Sequence, residues 1–201
     1  VSVVLKKIGN LSLSIRLSKF EITNKVFFPG HRIIPFISND KIESKLTFLN
    51  SEGVEINKQK QPFYIEDIDR YYQYSNPTHF PDQIKLNDWV LEKSLLVVTA
   101  WDLSSIIHQN KLTEGDILLI SLVDYKKGIF SIQPCHKNNL NLARLKIKSL
   151  FTSMETTLSR LCENDTFCSI GLEKQLLYTL YFTDENLLDV PSFSLTSFLE
   201  S

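Results

Sequence analysis

The sequence predicts an α+β protein, in which an antiparallel β-barrel or β-sandwich-like unit precedes a small helical unit. Residues 11–18 alternate apolar and polar without interruption, and apolar runs joined by turn residues continue to about residue 135. Residues 140–163 change to a helical spacing of apolar side chains. Because strands followed by helices are typical of α+β folds, we expect a β-rich domain at 1–135 and a helical domain or appendage at 136–201 packed on it.

The first predicted element is a β-hairpin. Residues 11–18 read Leu-Ser-Leu-Ser-Ile-Arg-Leu-Ser, a pattern typical of a strand with one buried face. An apolar run at residues 1–8 precedes this strand, and only Gly9 and Asn10 separate the two. Both residues tolerate positive φ, so they favour a tight turn between antiparallel strands.

Residues 26–61 contain short apolar runs separated by turn residues. After a turn at Pro29 and Gly30, residues 31–37 are interrupted by a second proline, which predicts an extended edge strand or loop. The apolar runs 46–49 and 54–56 are joined by a four-residue loop that ends in glycine, which favours a hairpin. Residues 58–61 are polar, and we expect them to be exposed.

Residues 63–82 combine an ambiguous segment with a loop. Residues 66–72 suit a short helix, because their acidic side chains would lie in the first turn, where the helix dipole favours them. Residues 75–82 contain two prolines, which predicts a loop.

A buried strand and a hairpin are expected before residue 135. Residues 94–101 form a continuous apolar run of strand length, after which Asp102 can cap a short helix at 103–109. The apolar runs 117–123 and 129–132 flank a turn that contains glycine, which predicts a hairpin.

The remaining chain predicts helices. Apolar residues recur at steps of three and four over 140–163, which indicates a long amphipathic helix. Leucines at 172, 176, 177 and 180 indicate a second helix, and residues 183–185 are typical of a further helix start.

Composition excludes several classes of protein. The formal net charge is −1, which argues against indiscriminate nucleic-acid binding, although the first 60 residues carry ten Lys or Arg against five Asp or Glu. Three cysteines do not suit a disulfide scaffold, so we expect reduced thiols and a cytoplasmic location. No apolar run approaches the roughly 18 residues of a membrane span.

Sequence motifs for nucleotide or hydrolase chemistry are absent. The six glycines form neither a dinucleotide fingerprint nor a P-loop, and no Gly-x-Ser-x-Gly elbow occurs. We therefore expect no cofactor and assign no catalytic residue.

The first candidate binding residues are His31 and Arg32, which follow the Pro-Gly turn in the loop 28–36. An arginine with a neighbouring histidine can grip a carboxylate or a phosphate. The structural alternative, which we favour, is that Arg32 pairs with an acid of residues 66–69 and fixes the loop.

The second candidate set lies in the loop 63–82. It comprises Arg70, Tyr71, Tyr72, Tyr74 and Phe80. Tyrosine and arginine are the residues that dominate protein–protein interfaces, whereas the negative charge of this segment disfavours a nucleic-acid backbone. The structural alternative, which we favour, is that some of these aromatic side chains cover the core beneath a long loop.

Metal binding has weak candidates only. Asp67, Asp69 and His79 are potential ligands of a hard cation, but acidic side chains at a helix start have a structural role as well. The spacing of Cys135, His136 and the two later cysteines matches no structural zinc pattern.

These observations rank three hypotheses about function. The leading one is a non-enzymatic binding or adaptor module that captures a protein partner through the loops 28–36 and 63–82. The alternatives are a small β-barrel that binds nucleic acid through the basic N-terminal portion, and a metal-dependent hydrolase that uses the acidic loop 66–79.

Overall fold

The computed structural model describes residues 12–34, 36–37, 43–73, 82–86, 93–139, 144–187 and 192–193. Within these ranges the chain is a mixed α+β protein with two sheets and several helices, so the predicted class is confirmed. The strands are β1 (Ser12–Arg16), β2 (Val26–Phe27), β3 (Thr47–Leu49), β4 (Lys58–Tyr64), β5 (Asp82–Leu86), β6 (Lys93–Asp102), β7 (Ile117–Asp124), β8 (Ile129–Cys135) and β9 (Ser192–Phe193).

The described helices are α1 (Lys19–Asn24), α2 (Ile65–Ile68), α3 (Ser104–Asn110), α4 (Arg144–Cys162), α5 (Asp165–Cys168) and α6 (Leu172–Phe182). Short 3₁₀ turns occupy Gly30–Ile33, Glu43–Lys45, Asp69–Tyr71 and Glu185–Leu187. None of the helices in the described ranges has the length and apolar character that crossing a bilayer requires.

The first sheet has the strand order β3-β8-β7-β1-β9. Strand β1 pairs antiparallel with β7, with Leu13 opposite Ile120 and Ile15 opposite Leu118. The strand has one buried face, as its alternating sequence predicts: Leu13 and Ile15 are buried, while Arg16 is exposed. The first half of the predicted hairpin, residues 1–8, and its turn lie outside the described residues.

The second sheet is built around β6, which pairs with β4 along one edge and with β5 and β2 along the other. We predicted that residues 58–61 are polar and exposed and did not predict a strand there, but they are the first part of β4. Strand β4 is an edge strand, whose backbone pairs with β6 while Gln59 and Lys60 are exposed and Lys58 and Gln61 are half-buried. Its sequence therefore carries little of the apolar alternation by which a strand is recognised.

The segment 30–33 also differs from the expected extended conformation. It forms a 3₁₀ turn, in which His31, Arg32 and Ile33 are all buried. Pro29 has α-helical backbone angles and Gly30 has a φ of +49°, so the chain turns sharply at the Pro-Gly pair and does not continue as a strand.

Several other predicted elements are confirmed with shifted ends, whereas residues 75–81 of the predicted loop 75–82 lie outside the described residues. Strand β6, helix α3 and the β7–β8 hairpin lie where the sequence predicts them, and Asp102 accepts a hydrogen bond from the Ser104 amide at 2.8 Å. Between residues 46 and 56 the loop forms as predicted, but the second run contributes only a single bridge, from Glu55 to Leu49.

The main core lies between the first sheet, the end of β6 and the helices α4 and α6. Leu150, Met154, Leu177 and Leu180 of the two helices are buried in this core. Phe48 of the first sheet contacts Trp101 of the second, with ring centroids 5.0 Å apart. No closed barrel forms among the described strands, so the barrel-like or sandwich-like arrangement stays a prediction.

A second apolar cluster lies on β6 and is the base of the candidate site. It contains Leu96, Val98 and Ala100 of the strand together with Phe28, Ile68, Tyr71 and Tyr72. The two segments singled out in the sequence therefore meet over β6.

Candidate binding site

Helix α1 positions the buried acid of the site. Its N-cap is Ser18, whose hydroxyl accepts a hydrogen bond from the Glu21 amide at 3.1 Å. The Glu21 carboxylate in turn accepts from the Ser18 amide at 3.1 Å, which completes a capping box. Glu21 is fully buried, so this reciprocal cap fixes a negative charge inside the protein.

Arg32 binds that carboxylate with both ends of its guanidinium. Its Nη1 donates to Glu21 Oε2 at 3.2 Å and its Nη2 to Glu21 Oε1 at 2.5 Å. Nη2 also donates to the carbonyl of Phe28. The favoured pairing of Arg32 with an acid of residues 66–69 is therefore wrong, since Glu21 takes that place.

Aromatic rings enclose the ion pair. The guanidinium carbon of Arg32 lies 4.5 Å from the Tyr71 ring centroid and 5.3 Å from that of Phe27. The Arg32 side chain is 6% exposed. Because two charges without solvent need full hydrogen bonding, Glu21 and Arg32 depend on one another for their burial.

Tyr71 connects this buried pair to the surface. Its hydroxyl lies 2.6 Å from the Ser18 hydroxyl and accepts a hydrogen bond from Arg70 Nη2 at 2.9 Å. The Arg70 guanidinium also lies over the Tyr71 ring, at 5.0 Å from its centroid. Arg70 itself is exposed.

A second polar group fixes the Pro-Gly turn. Glu43 accepts a hydrogen bond from the Gly30 amide at 3.1 Å and from the Tyr72 hydroxyl at 3.2 Å. Burial raises the pKa of Glu43 to about 7, against the lowering effect of these hydrogen bonds. Burial and the neighbouring Arg32 lower the pKa of His31 to about 4.

The two shifted groups give stability opposite dependences on pH. The pKa of Glu43 is higher in the folded than in the unfolded protein, so its contribution is lost as pH rises from 4.5 to about 7. The pKa of His31 is lower in the folded protein, so stability is lost as pH falls from 6.5 to about 4. In the wild-type protein the two effects oppose each other between pH 4.5 and pH 6.5, where both groups contribute.

We expect Glu43→Gln to remove the first effect. Relative to wild type, the unfolding free energy of the variant should rise by about 1–3 kcal/mol between pH 4.5 and about pH 7, because in this range the wild-type carboxyl ionises in the unfolded protein but stays protonated in the folded one. Urea unfolding at several pH values measures this difference. A constant difference across that range would show that Glu43 ionises normally in the folded protein.

The predicted site residues thus divide by exposure. His31, Arg32, Tyr71 and Tyr72 lie together and are buried, so in this conformation a partner cannot reach their side chains. Arg70 is exposed and lies beside them. Tyr74, Phe80 and His79 lie outside the described residues. Binding by this set stays a prediction.

A surface groove runs between α1 and the turns at 65–71. Helix α1 lines it with Lys19, Phe20, Thr23 and Asn24, and the facing segment with Glu66, Asp67 and Arg70. Its volume is about 420 Å³. The groove presents both signs of charge around the half-buried side chain of Phe20.

Metal chemistry gains no support from this geometry. Across the described residues, no three His, Cys, Asp or Glu side chains come together as a metal-binding group. Asp69 accepts a hydrogen bond from the Arg70 amide at 2.6 Å, which is a local structural role. The metal-dependent alternative stays a prediction.

The most informative residues that the sequence analysis missed are Ser18, Glu21 and Lys19. The pattern Ser18-Lys19-Phe20-Glu21 is a capping box and indicates the start of α1, but the alternation that precedes it suggested that the strand continued to Ser18.

No protein-family model, curated protein or solved structure matches this chain.

Proposed function

We propose that the protein is a non-enzymatic binding module, which docks a segment of a protein partner in the groove between α1 and the turns at 65–71. The observation that supports this proposal is the position of Arg70, whose exposed side chain lines the groove and donates a hydrogen bond to the Tyr71 hydroxyl. In this proposal the loop 28–36 supports the groove, and within the segment 63–82 the partner contacts Glu66, Asp67 and Arg70.

The charges of the groove define the chemistry of the partner segment. Lys19 and Arg70 suit an acidic side chain, Phe20 suits an apolar one, and Glu66 and Asp67 suit a basic one. The same two acids oppose the approach of a phosphate backbone, which makes a protein segment the better occupant than RNA or DNA.

Rigidity beneath the groove favours binding. Arg70 is hydrogen-bonded to Tyr71, whose hydroxyl contacts Ser18 at the start of α1, so both walls share one network. A preorganised side chain loses less conformational freedom when a partner binds, which increases affinity.

The proposal is tested with a displayed library of random peptides and the immobilised protein. We expect enrichment of peptides that carry an acidic side chain next to an apolar one. Arg70→Glu should lower the affinity for the selected peptides by roughly 30-fold, which is the effect of losing an interface hot spot. Lys19→Glu should also weaken them, and it places an acid in the first turn of α1, where the helix dipole favours it.

Arg160→Glu is the matched control, because Arg160 is exposed on α4 and lies outside the groove. It should leave peptide binding unchanged. Equal binding by wild type, Arg70→Glu and Lys19→Glu would eliminate the groove as the binding surface. A nucleic-acid function would instead appear as binding that falls steeply with salt.

We also place the protein in the cytoplasm and its two sheets in a sandwich-like arrangement. The cytoplasmic location is supported by three free cysteines, Cys135, Cys162 and Cys168, which suit a reducing compartment.

The sandwich-like arrangement is supported by the ring contacts of Phe48 with Trp101 and with Phe27, which join one sheet to the other.

A further inference from the structure

Two exposed cysteines meet at the corner between α4 and α5. Helix α4 ends at Cys162, and α5 ends at Cys168 after one short turn. The Cys168 Sγ lies 3.2 Å from the carbonyl oxygen of Cys162, to which it donates. The chain therefore folds the second sulfur back over the end of α4.

The side chain of Cys162 also acts on the Cys168 thiol. It raises the pKa of Cys168, first through a hydrogen bond, and desolvation, the charge of Cys162 and the nearby Asp165 raise this pKa further. Both side chains are exposed to solvent, so a soluble oxidant can reach them. By contrast, Cys135 is partly buried, and its thiol faces the His136 carbonyl at 3.6 Å.

The backbone of this corner is held by groups other than the thiols. Asn164 caps α5 by accepting hydrogen bonds from the amides of Thr166 and Phe167, at 2.9 and 3.3 Å. Gln175 of α6 donates from its Nε2 to the Cys168 carbonyl at 3.1 Å. Because these contacts do not involve sulfur, the two cysteines are kept close whether or not they react.

We propose that Cys162 and Cys168 form a reversible intramolecular disulfide by exchange with a low-molecular-weight disulfide. One protein thiol loses its proton and attacks a sulfur of the small disulfide, which breaks the S–S bond and releases one small thiolate. The second protein thiol loses its proton and attacks the mixed disulfide, which releases the other thiolate. The protein loses two electrons and two protons, and the small disulfide is reduced to two thiols.

Closing this bond has a local structural consequence. It ties the end of α4 to the end of α5, next to the start of α6, whose Leu176 and Leu177 are buried. The amides of residues 163–168 should therefore exchange hydrogen more slowly in the oxidised protein. The reaction is independent of the groove proposed above, so either proposal can fail alone.

The experiment uses oxidised glutathione as the small disulfide and the full chain. After incubation and alkylation of the remaining thiols, peptide mass spectrometry locates the bonds. We expect a Cys162–Cys168 crosslink at least about tenfold more abundant than glutathione held on either cysteine alone, because the second thiol competes at high effective concentration. Reduced glutathione in excess should reverse it.

Single variants separate the steps. In Cys168→Ser the reaction should stop at the mixed disulfide on Cys162, whereas Cys135→Ser should form the crosslink as wild type does. Glutathione retained on Cys162 and Cys168 of the wild-type protein without a crosslink would overturn the proposal, and so would a crosslink that involves Cys135.

Discussion

Glu21→Ala is expected to destabilise the protein by about 3–5 kcal/mol, the usual cost of breaking a buried ion pair from one side. The substitution leaves the Arg32 guanidinium buried beside Phe27 and Tyr71, where the Phe28 carbonyl is its only remaining hydrogen-bond partner among the described residues. It also removes the capping box of α1. Urea unfolding measures the loss as a lower midpoint.

The matched control is Glu155→Ala, because Glu155 is an exposed glutamate on α4. It should change stability by less than about 0.5 kcal/mol. A double replacement of Glu21 and Arg32 by methionine should recover much of the loss, since no uncompensated charge then remains. If Glu21→Ala is as mild as Glu155→Ala, the buried pair does not form in solution.

Gly30→Ala is expected to cost about 2–5 kcal/mol. Gly30 has a φ of +49°, which costs an L-residue about 1–2 kcal/mol. An added Cβ would also lie 2.1 Å from the Tyr71 carbonyl oxygen, so the turn and the segment at 71 must move apart. Such overpacking adds about 1–3 kcal/mol.

Gly53→Ala separates the two costs. Gly53 has a φ of +78°, and apart from its two chain neighbours no described residue lies within 4 Å of its added Cβ. Its alanine variant should therefore lose only the backbone contribution of about 1–2 kcal/mol. Thermal unfolding compares the variants, and equal losses at both positions would mean that Gly30 does not pack against Tyr71.

The parts of the fold that could be predicted from the sequence are those in which burial imposes a period. Strand β1 alternates because one face is buried, and α4 repeats every three or four residues because one stripe is buried. Strand β4 could not be recognised this way. It is held by backbone pairing with β6, and pairing leaves no mark on side-chain chemistry.

The candidate site was predictable only in part. The turn at Pro29 and Gly30 and the group around Tyr71 are visible in the sequence, and the structure places them together over β6. The partner of Arg32 was not predictable, because the choice between Glu21 and the acids at 66–69 depends on the tertiary fold. Exposure was equally hidden, since Arg32 and Arg70 are chemically identical and differ only in what covers them.

Arginine-selective labelling of the folded protein tests the central claim directly: Arg32 is part of the buried support, and Arg70 is the exposed contact. Phenylglyoxal should modify Arg70 at a rate similar to the exposed Arg16 and Arg160, and should leave Arg32 unmodified until the protein unfolds. Peptide mass spectrometry gives the rate at each site. Modification of Arg32 in the folded protein as fast as Arg70 would contradict this account.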